Sequence, residues 1–519
     1  MRKLIYSTLA LCALVFASCA DFLDVKPVGK MIPTEISQFE NLLNNTTTVD
    51  HYFMMDNNGG CSYAVMGDNL WISENQAKYQ YTATFPNLDI LAAAIYYDQI
   101  YDLTYTPMHW QYSYRAIGYF NNVIDGVEGI DKESEYAKGV IAQAKAGRAW
   151  IYMNFVLCYG PMYNPNGAND TPVIPLRTSG DPTVANGPLR TTEEIFTQVK
   201  DDLDYACQNA PTKTINACRV DRACAYALRA EYHMFTRNWE QMKNDAQEAW
   251  RLALANRASV DNMIYDYADF YYVALTEIDP PAGCSPEYYM TLKGPDTNFD
   301  QTSNRELLLY REIPNAASYS KYYPSEEWIA NMDADKDLRW KKFVYTIEGF
   351  SKNIGDAVYK DGLVVHDFRG QQMESTQALT YPLLLLMKAE AEARTNNLSD
   401  ALASLNTLRK YRYDGDDTDL PGGASLKQDE LINEILKERR REQPLVSYQR
   451  TLDLKRYALD GEKPWAKQTI THKVGDKTYS KSITDPYFQS LPIDNATITL
   501  NPSWGLETVS KAFEPYNAR

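Results

Sequence analysis

The residue types that could catalyse or hold a metal are scattered along this sequence. Its five histidines, His51, His109, His233, His366 and His472, lie far apart and never at metal-ligand spacing. Asp333-x-Asp335-x-Asp337 begins like an EF-hand calcium loop. Its sixth position, however, is Leu338 where glycine is needed, and its twelfth is Val344 where a glutamate belongs. Asp414-Gly415-Asp416-Asp417-x-Asp419 fails in the same way, so both read as solvated acidic turns. No HExxH, Walker loop, GxGxxG or GxSxG pattern occurs, and nothing here calls for a metal or a cofactor. A carboxylate pair for glycoside hydrolysis depends on spatial separation, and among 68 acidic residues some pair always looks suitable. That argument discriminates nothing.

Aromatic surfaces are better candidates. The chain has 39 tyrosines, and each ring offers an apolar face and a polar tip. Core and helix-interface filling must account for more than half of them. The binding candidates are Trp71, Tyr79, Tyr81 and Tyr105 ahead of the first long helix. With them stand Tyr288, Tyr289, Tyr319, Tyr322, Tyr323 and Trp328 in a mid-chain stretch. A pyranose presents an apolar C–H face rimmed by hydroxyls, which a ring can cover. Covering ~50–60 Å² at ~25 cal/mol per Å² contributes on the order of 1.5 kcal/mol per sugar. Two or three rings with hydrogen bonds would bind in the micromolar to millimolar range.

The elements that must position these rings are mostly helical. Thr34 is expected to cap a short helix through Ile36, Phe39, Leu42 and Leu43, and residues 44–90 read as irregular. Helical spacing runs from Trp110 to Ile124 and from Ala137 to Tyr159, where Gly160-Pro161 stops it. After a Pro- and Gly-rich loop at 161–190, Thr191-x-x-Glu194 is a capping box. Val220–Thr236 with Asn238–Leu254, and again residues 381–412, resemble tetratricopeptide hairpins, about four pairs in all. Between them, 257–380 loses the helical period, with Leu307–Tyr310 as a short strand. Ser425-x-x-Gln428 is expected to cap a last long helix, and 461–519 reads as loops and short extended pieces. The run Glu438-Arg439-Arg440-Arg441-Glu442 places like charges at i,i+4, which an isolated helix disfavours, so a structural ion network is expected to neutralise it.

The net charge of −16 repels phosphate backbones, which argues against nucleic-acid binding. Arg2 and Lys3 precede an apolar run, Leu4 to Phe16, too short to cross a bilayer. Ala17-Ser18-Cys19 then matches a lipobox, so residues 1–18 read as a signal peptide, Cys19 as the lipidated residue and 19–33 as a tether. Residues 34–519 read as a single domain: an N-terminal helical part (34–256), an irregular insert (257–380), a C-terminal helical part (381–460) and a tail. Cys61, Cys158, Cys207, Cys218, Cys224 and Cys284 show no CxxC spacing and read mostly as small buried hydrophobes.

In order along the chain, several motifs resemble the SusD/RagB family of outer-membrane nutrient-binding lipoproteins of Bacteroidota. They are Cys19-Ala-Asp-Phe-Leu-Asp-Val-Lys-Pro27, Tyr114-Arg-Ala-Ile-Gly-Tyr-Phe-Asn-Asn-Val-Ile-Asp125 and Ala144-Lys-Ala-Gly-Arg-Ala-Trp-Ile-Tyr152. Further on come Asn304-Arg-Glu-Leu, Asp337-Leu-Arg339, Leu383 to Arg412, Leu431 to Glu442, Asp453-Leu-Lys-Arg456 and Leu491-Pro-Ile493. The chain departs from the family pattern at Gln443-Pro-Leu-Val-Ser447 and in its tail, which lacks the usual Asn-Pro-Gly. The resemblance implies a mostly α fold, an α/α superhelix of tetratricopeptide-like pairs with a large irregular insert. It further implies a protein that binds and does not cleave, anchored by lipid on the outer membrane and facing the exterior. The implied ligand is an oligosaccharide or, in some members, a peptide. The implied partner is a SusC-like TonB-dependent transporter.

Overall fold

A computed structural model describes residues 33–508 except 51, 52, 58, 83–88, 98–105, 315–320 and 484–489. Cys19, the leader and tether up to residue 32, Tyr105 and Tyr319 lie outside the described residues.

Among the described residues nine longer helices build the scaffold: α1 (Met108–Glu128), α2 (Glu135–Tyr159), α3 (Thr192–Asn209), α4 (Arg222–Phe235), α5 (Trp239–Arg257), α6 (Tyr381–Arg394), α7 (Leu398–Arg409), α8 (Gln428–Glu442) and α9 (Gln449–Ala458). From α1 to α7 each packs on the next, and α8 also packs on α6, so the superhelix continues from α5 to α6 across the whole insert. Their ends follow local chemistry. Thr191 and Glu194 form the capping box of α3, Asp221 accepts the Cys224 N–H at 2.8 Å to cap α4, and Gly160 follows the last residue of α2. Helix α2 is buried along nearly its whole length. A Cβ at its Gly147 would sit 2.4 Å from the Phe120 ring, so only glycine lets α1 approach this closely. The next residue, Arg148, reaches Asp202 of α3 at 2.8 Å and Asn121 of α1 at 2.7 Å.

Helix α8 carries the expected ion network. Arg339 contacts Asp337 and Glu442 at 2.9 Å and also pairs with Glu438. Arg412 holds Glu306 at 2.6 Å and Glu442 at 3.0 Å. Burial alone would raise the Glu438 and Glu442 carboxyls. The arginines (Arg339, Arg441 and Arg409 at Glu438; Arg412, Arg339 and Arg369 at Glu442) more than reverse this and hold both at about 2. The network joins the insert to α8, and it also takes up Asp337, so the first acidic turn is partly a buried structural element. Asp414 of the second turn pairs with Lys341 at the surface. All six cysteines named above are buried and unpaired.

Several local expectations change. Glu35, not Thr34, is the N-cap of Ile36–Leu42, and the Thr34 N–H donates to Gln38 instead. Ser425 ends a 3₁₀ turn, and Lys427 is the N-cap of α8, its N–H accepted by the Glu430 carboxylate at 2.8 Å. The stretch 44–90 holds four short helices, Thr46–Val49, Ser62–Val65, Glu74–Thr82 and Asp89–Ala94, too brief to show a 3.6-residue period. The loop 161–190 contains a strand pair, Pro172–Pro175 with Leu189–Thr191. The tail contains a hairpin, Thr469–Val474 with Lys477–Ser482, and the helix Asn495–Leu500. The expected short strand is present, as Leu307–Leu309 paired with Leu379–Thr380.

Candidate binding face

The insert projects a two-part hairpin arm. Val344–Glu348 pairs antiparallel with Leu363–Asp367, and beyond them Ser351–Ile354 pairs with Ala357–Lys360 around Gly355, whose φ of 56° suits glycine in a tight turn. Asp361 ties this arm to the N-terminal part. Its carboxylate accepts from the Ser73 hydroxyl at 2.6 Å, the Asn75 amide at 2.8 Å and the Tyr323 hydroxyl at 2.7 Å. Next to it the short strand Leu70–Trp71 pairs with Tyr323–Pro324.

This framework gathers rings from both sequence-predicted groups. Trp71 is 38% exposed, with its centroid 5.4 Å from that of Tyr323. Tyr79 meets Phe350 edge-on at 5.2 Å and Tyr359 at 5.8 Å. Phe350 in turn lines a cavity of about 360 Å³ with Tyr288, Tyr289, Glu348, Ser351 and Lys352. Tyr288 and Tyr289 sit on one 3₁₀ turn, T-shaped at 4.9 Å, and Tyr289 is 42% exposed. Tyr81 is half-buried against the main core. Rings with open faces, rimmed by a carboxylate, a hydroxyl and an ammonium, suit a polyhydroxylated ligand with apolar faces.

Three candidates are corrected. Tyr322, Tyr323 and Trp328 are buried, so their rings offer no face to a ligand. Trp328 turns inward from the short helix Glu326–Ala330. Burial keeps the Tyr323 hydroxyl well above the usual tyrosine range, so it is a neutral donor to Asp361, and it accepts the Phe350 N–H at 2.7 Å. Tyr323 therefore positions the arm. Phe350, Tyr359 and Asp361 were not singled out from the sequence. The Gly355-Asp356 pair between two extended runs was the signal that could have found their hairpin.

Among the described residues no group of three or more His, Cys, Asp or Glu could hold a metal ion, and no helix is long and apolar enough to cross a membrane. Two family profiles match the chain. One, described as starch-binding associating with outer membrane, covers residues 21–233; the SusD family profile covers 232–504. No curated protein matches. A SusD superfamily protein from Bacteroides thetaiotaomicron superposes with a TM-score of 0.63 at 17% identity, over 90% of this chain and 98% of that one. Another from Bacteroides fragilis gives 0.59 at 18% identity, over 91% and 99%. A SusD-like carbohydrate binding protein from Bacteroides vulgatus gives 0.51 at 15% identity, over 87% and 89%. At these identities the likeness speaks for the fold alone. The SusD profile spans more than half of the 519 residues, and on that ground the chain belongs to the SusD family.

Proposed function

We propose that this protein is a lipid-anchored outer-membrane lipoprotein that captures an oligosaccharide at the exterior and delivers it to a SusC-like TonB-dependent transporter. The observation that carries this reading is that Tyr79, Tyr288 and Tyr289 gather around Phe350 of the arm, with Trp71 half-exposed beside Tyr323. The carbohydrate binding named for the relative from Bacteroides vulgatus supports it. The protein binds its ligand without cleaving it. Lipidation at Cys19 by two or three acyl chains would hold it firmly, whereas a single chain would not.

A glycan array on the purified full chain tests the capture step. Binding to one oligosaccharide class, lost when Trp71 and Tyr289 are both changed to alanine, is the expected result. Selective binding to peptides instead, or release of sugar from a polysaccharide panel, would replace this reading. Cys19→Ala should leave the fold intact and free the protein from the membrane. Detergent extraction of wild type should co-purify a barrel transporter.

A further inference from the structure

A second cavity, of about 690 Å³, runs along α1 between the loop after Pro175 and the C-terminal turn Pro502–Trp504. None of the residues lining it belongs to the aromatic face on the hairpin arm. Its size falls within the range of about 300–1,000 Å³ usual for small-ligand clefts.

Charge distinguishes this cavity. In a chain of net charge −16, its lining includes Arg115 and Arg177 but no aspartate, glutamate, lysine or histidine. Inside the scaffold, arginines such as Arg148, Arg339 and Arg412 are committed to carboxylates. Arg177 instead donates to the Asn186 side-chain oxygen at 3.0 Å and to the Asp181 backbone carbonyl at 3.2 Å, while Arg115 lies 4.4 Å over the Tyr112 ring. Both guanidiniums are thus oriented by neutral groups, although the charge of Arg177 also acts on the exposed Asp181 carboxylate. Two nearby carboxylates are engaged with other donors: Asp125 accepts the Gly180 N–H at 2.7 Å, and Asp181 accepts from the Thr183 N–H at 2.8 Å and hydroxyl at 2.7 Å.

Shape adds an independent argument. Gly118 lines the cavity from the middle of α1, where glycine weakens a helix relative to alanine. At Gly126 of the same helix packing demands glycine, because a Cβ would lie 2.1 Å from the Phe39 ring. At Gly118 a Cβ would meet nothing within 4 Å. The fold does not need this glycine; its effect is to keep the cavity open. Two half-buried rings flank the space, each held by its polar atom. The Trp504 indole N–H donates to the Gly187 carbonyl at 3.0 Å, and the Tyr119 hydroxyl accepts from Asn45 at 3.0 Å.

We propose that this cavity is a second saccharide subsite, one that takes an acidic oligosaccharide. Its carboxylate or sulfate groups meet Arg115 and Arg177, and its sugar rings lie against Tyr119 and Trp504. Planar guanidinium forks suit either anion, and each contact is a charge-assisted hydrogen bond. The inference rests on the proposed saccharide-capturing function and extends it to the charge of the ligand.

Calorimetric titration of the full chain with tetragalacturonate, a sulfated chondroitin tetrasaccharide and a neutral tetrasaccharide tests it. At least one acidic probe should bind, with affinity falling as salt is raised. Arg115→Ala with Arg177→Ala should weaken that probe about tenfold or more. Gly118→Phe should block it equally while leaving the melting temperature unchanged or raised, and the neutral glycan of the hairpin-arm site should still bind this variant. Binding of only one acidic probe supports the subsite and identifies its anion. The inference fails if a neutral glycan binds but neither acidic probe does, or if the acidic probe is insensitive to both the arginine and the glycine variants. It fails also if an acidic peptide binds there in preference to both saccharides. If no saccharide binds at all, the proposed function falls together with it.

Discussion

Helix α8 and the hairpin arm at 344–367 both join segments far apart in the chain, yet they treat polar groups in opposite ways. Helix α8 turns Glu438 and Glu442 into the interior, where Arg339 and Arg412 meet them. The arm leaves Glu348, Ser351 and Lys352 at the surface, near the exposed Tyr289 of the neighbouring 3₁₀ turn. In the first region the ionic partners belong to the fold, and removing one strands a buried charge. In the second, Asp361 ties the framework together while Glu348, Ser351 and Lys352 stand exposed to solvent. The comparison separates what holds the molecule together from what it can offer a ligand, although both regions are built from the same residue types.

The comparison breaks most visibly at Arg412. Arg412→Ala leaves Glu306 and Glu442 buried without this partner and should cost about 3–5 kcal/mol of stability in urea denaturation. A loss below about 0.5 kcal/mol would mean that the network contributes little. Acid probes the same region. Because Glu438 and Glu442 are held at about 2 against an ordinary 4.5, the unfolded chain binds more protons between those values. Their contribution is complete above about pH 4.5 and drains as the pH falls toward 2. Denaturation midpoints followed downward from pH 6 should therefore drop over this window, less steeply in Glu438→Gln. A smaller effect is expected at the α3 cap, where Thr191→Ala should cost about 1 kcal/mol and leave saccharide binding untouched. The smallest stability change belongs to Trp71→Ala. It should alter stability by less than about 0.5 kcal/mol but weaken the captured glycan about tenfold by calorimetry. A large stability loss there would erase the distinction between the two regions.

Much of the scaffold was legible because its signals are local. The Thr191–Glu194 box and Gly160-Pro161 after α2 act within one or two helical turns. The like-charge spacing in Glu438–Glu442 even foretold the ion network, since those charges needed partners from elsewhere. The stretch 44–90 was illegible for the complementary reason: helices of one or two turns carry too few residues for a period, and tertiary contacts hold them. The aromatic candidates divided. Trp71 and Tyr289 are exposed, whereas Tyr322, Tyr323 and Trp328 are core.

The sequence by itself determined the order of the helices, the capping box of α3 and the family, because each is written in short-range patterns or in the succession of motifs. Only the tertiary structure decided which rings face outward and which arginines, among the described residues, form no ion pair with a carboxylate. A tyrosine suits a core or a surface equally well, and a guanidinium suits a buried ion pair or an open cavity. What separates Trp71 from Trp328, or Arg177 from Arg412, is the set of distant segments that packs around each.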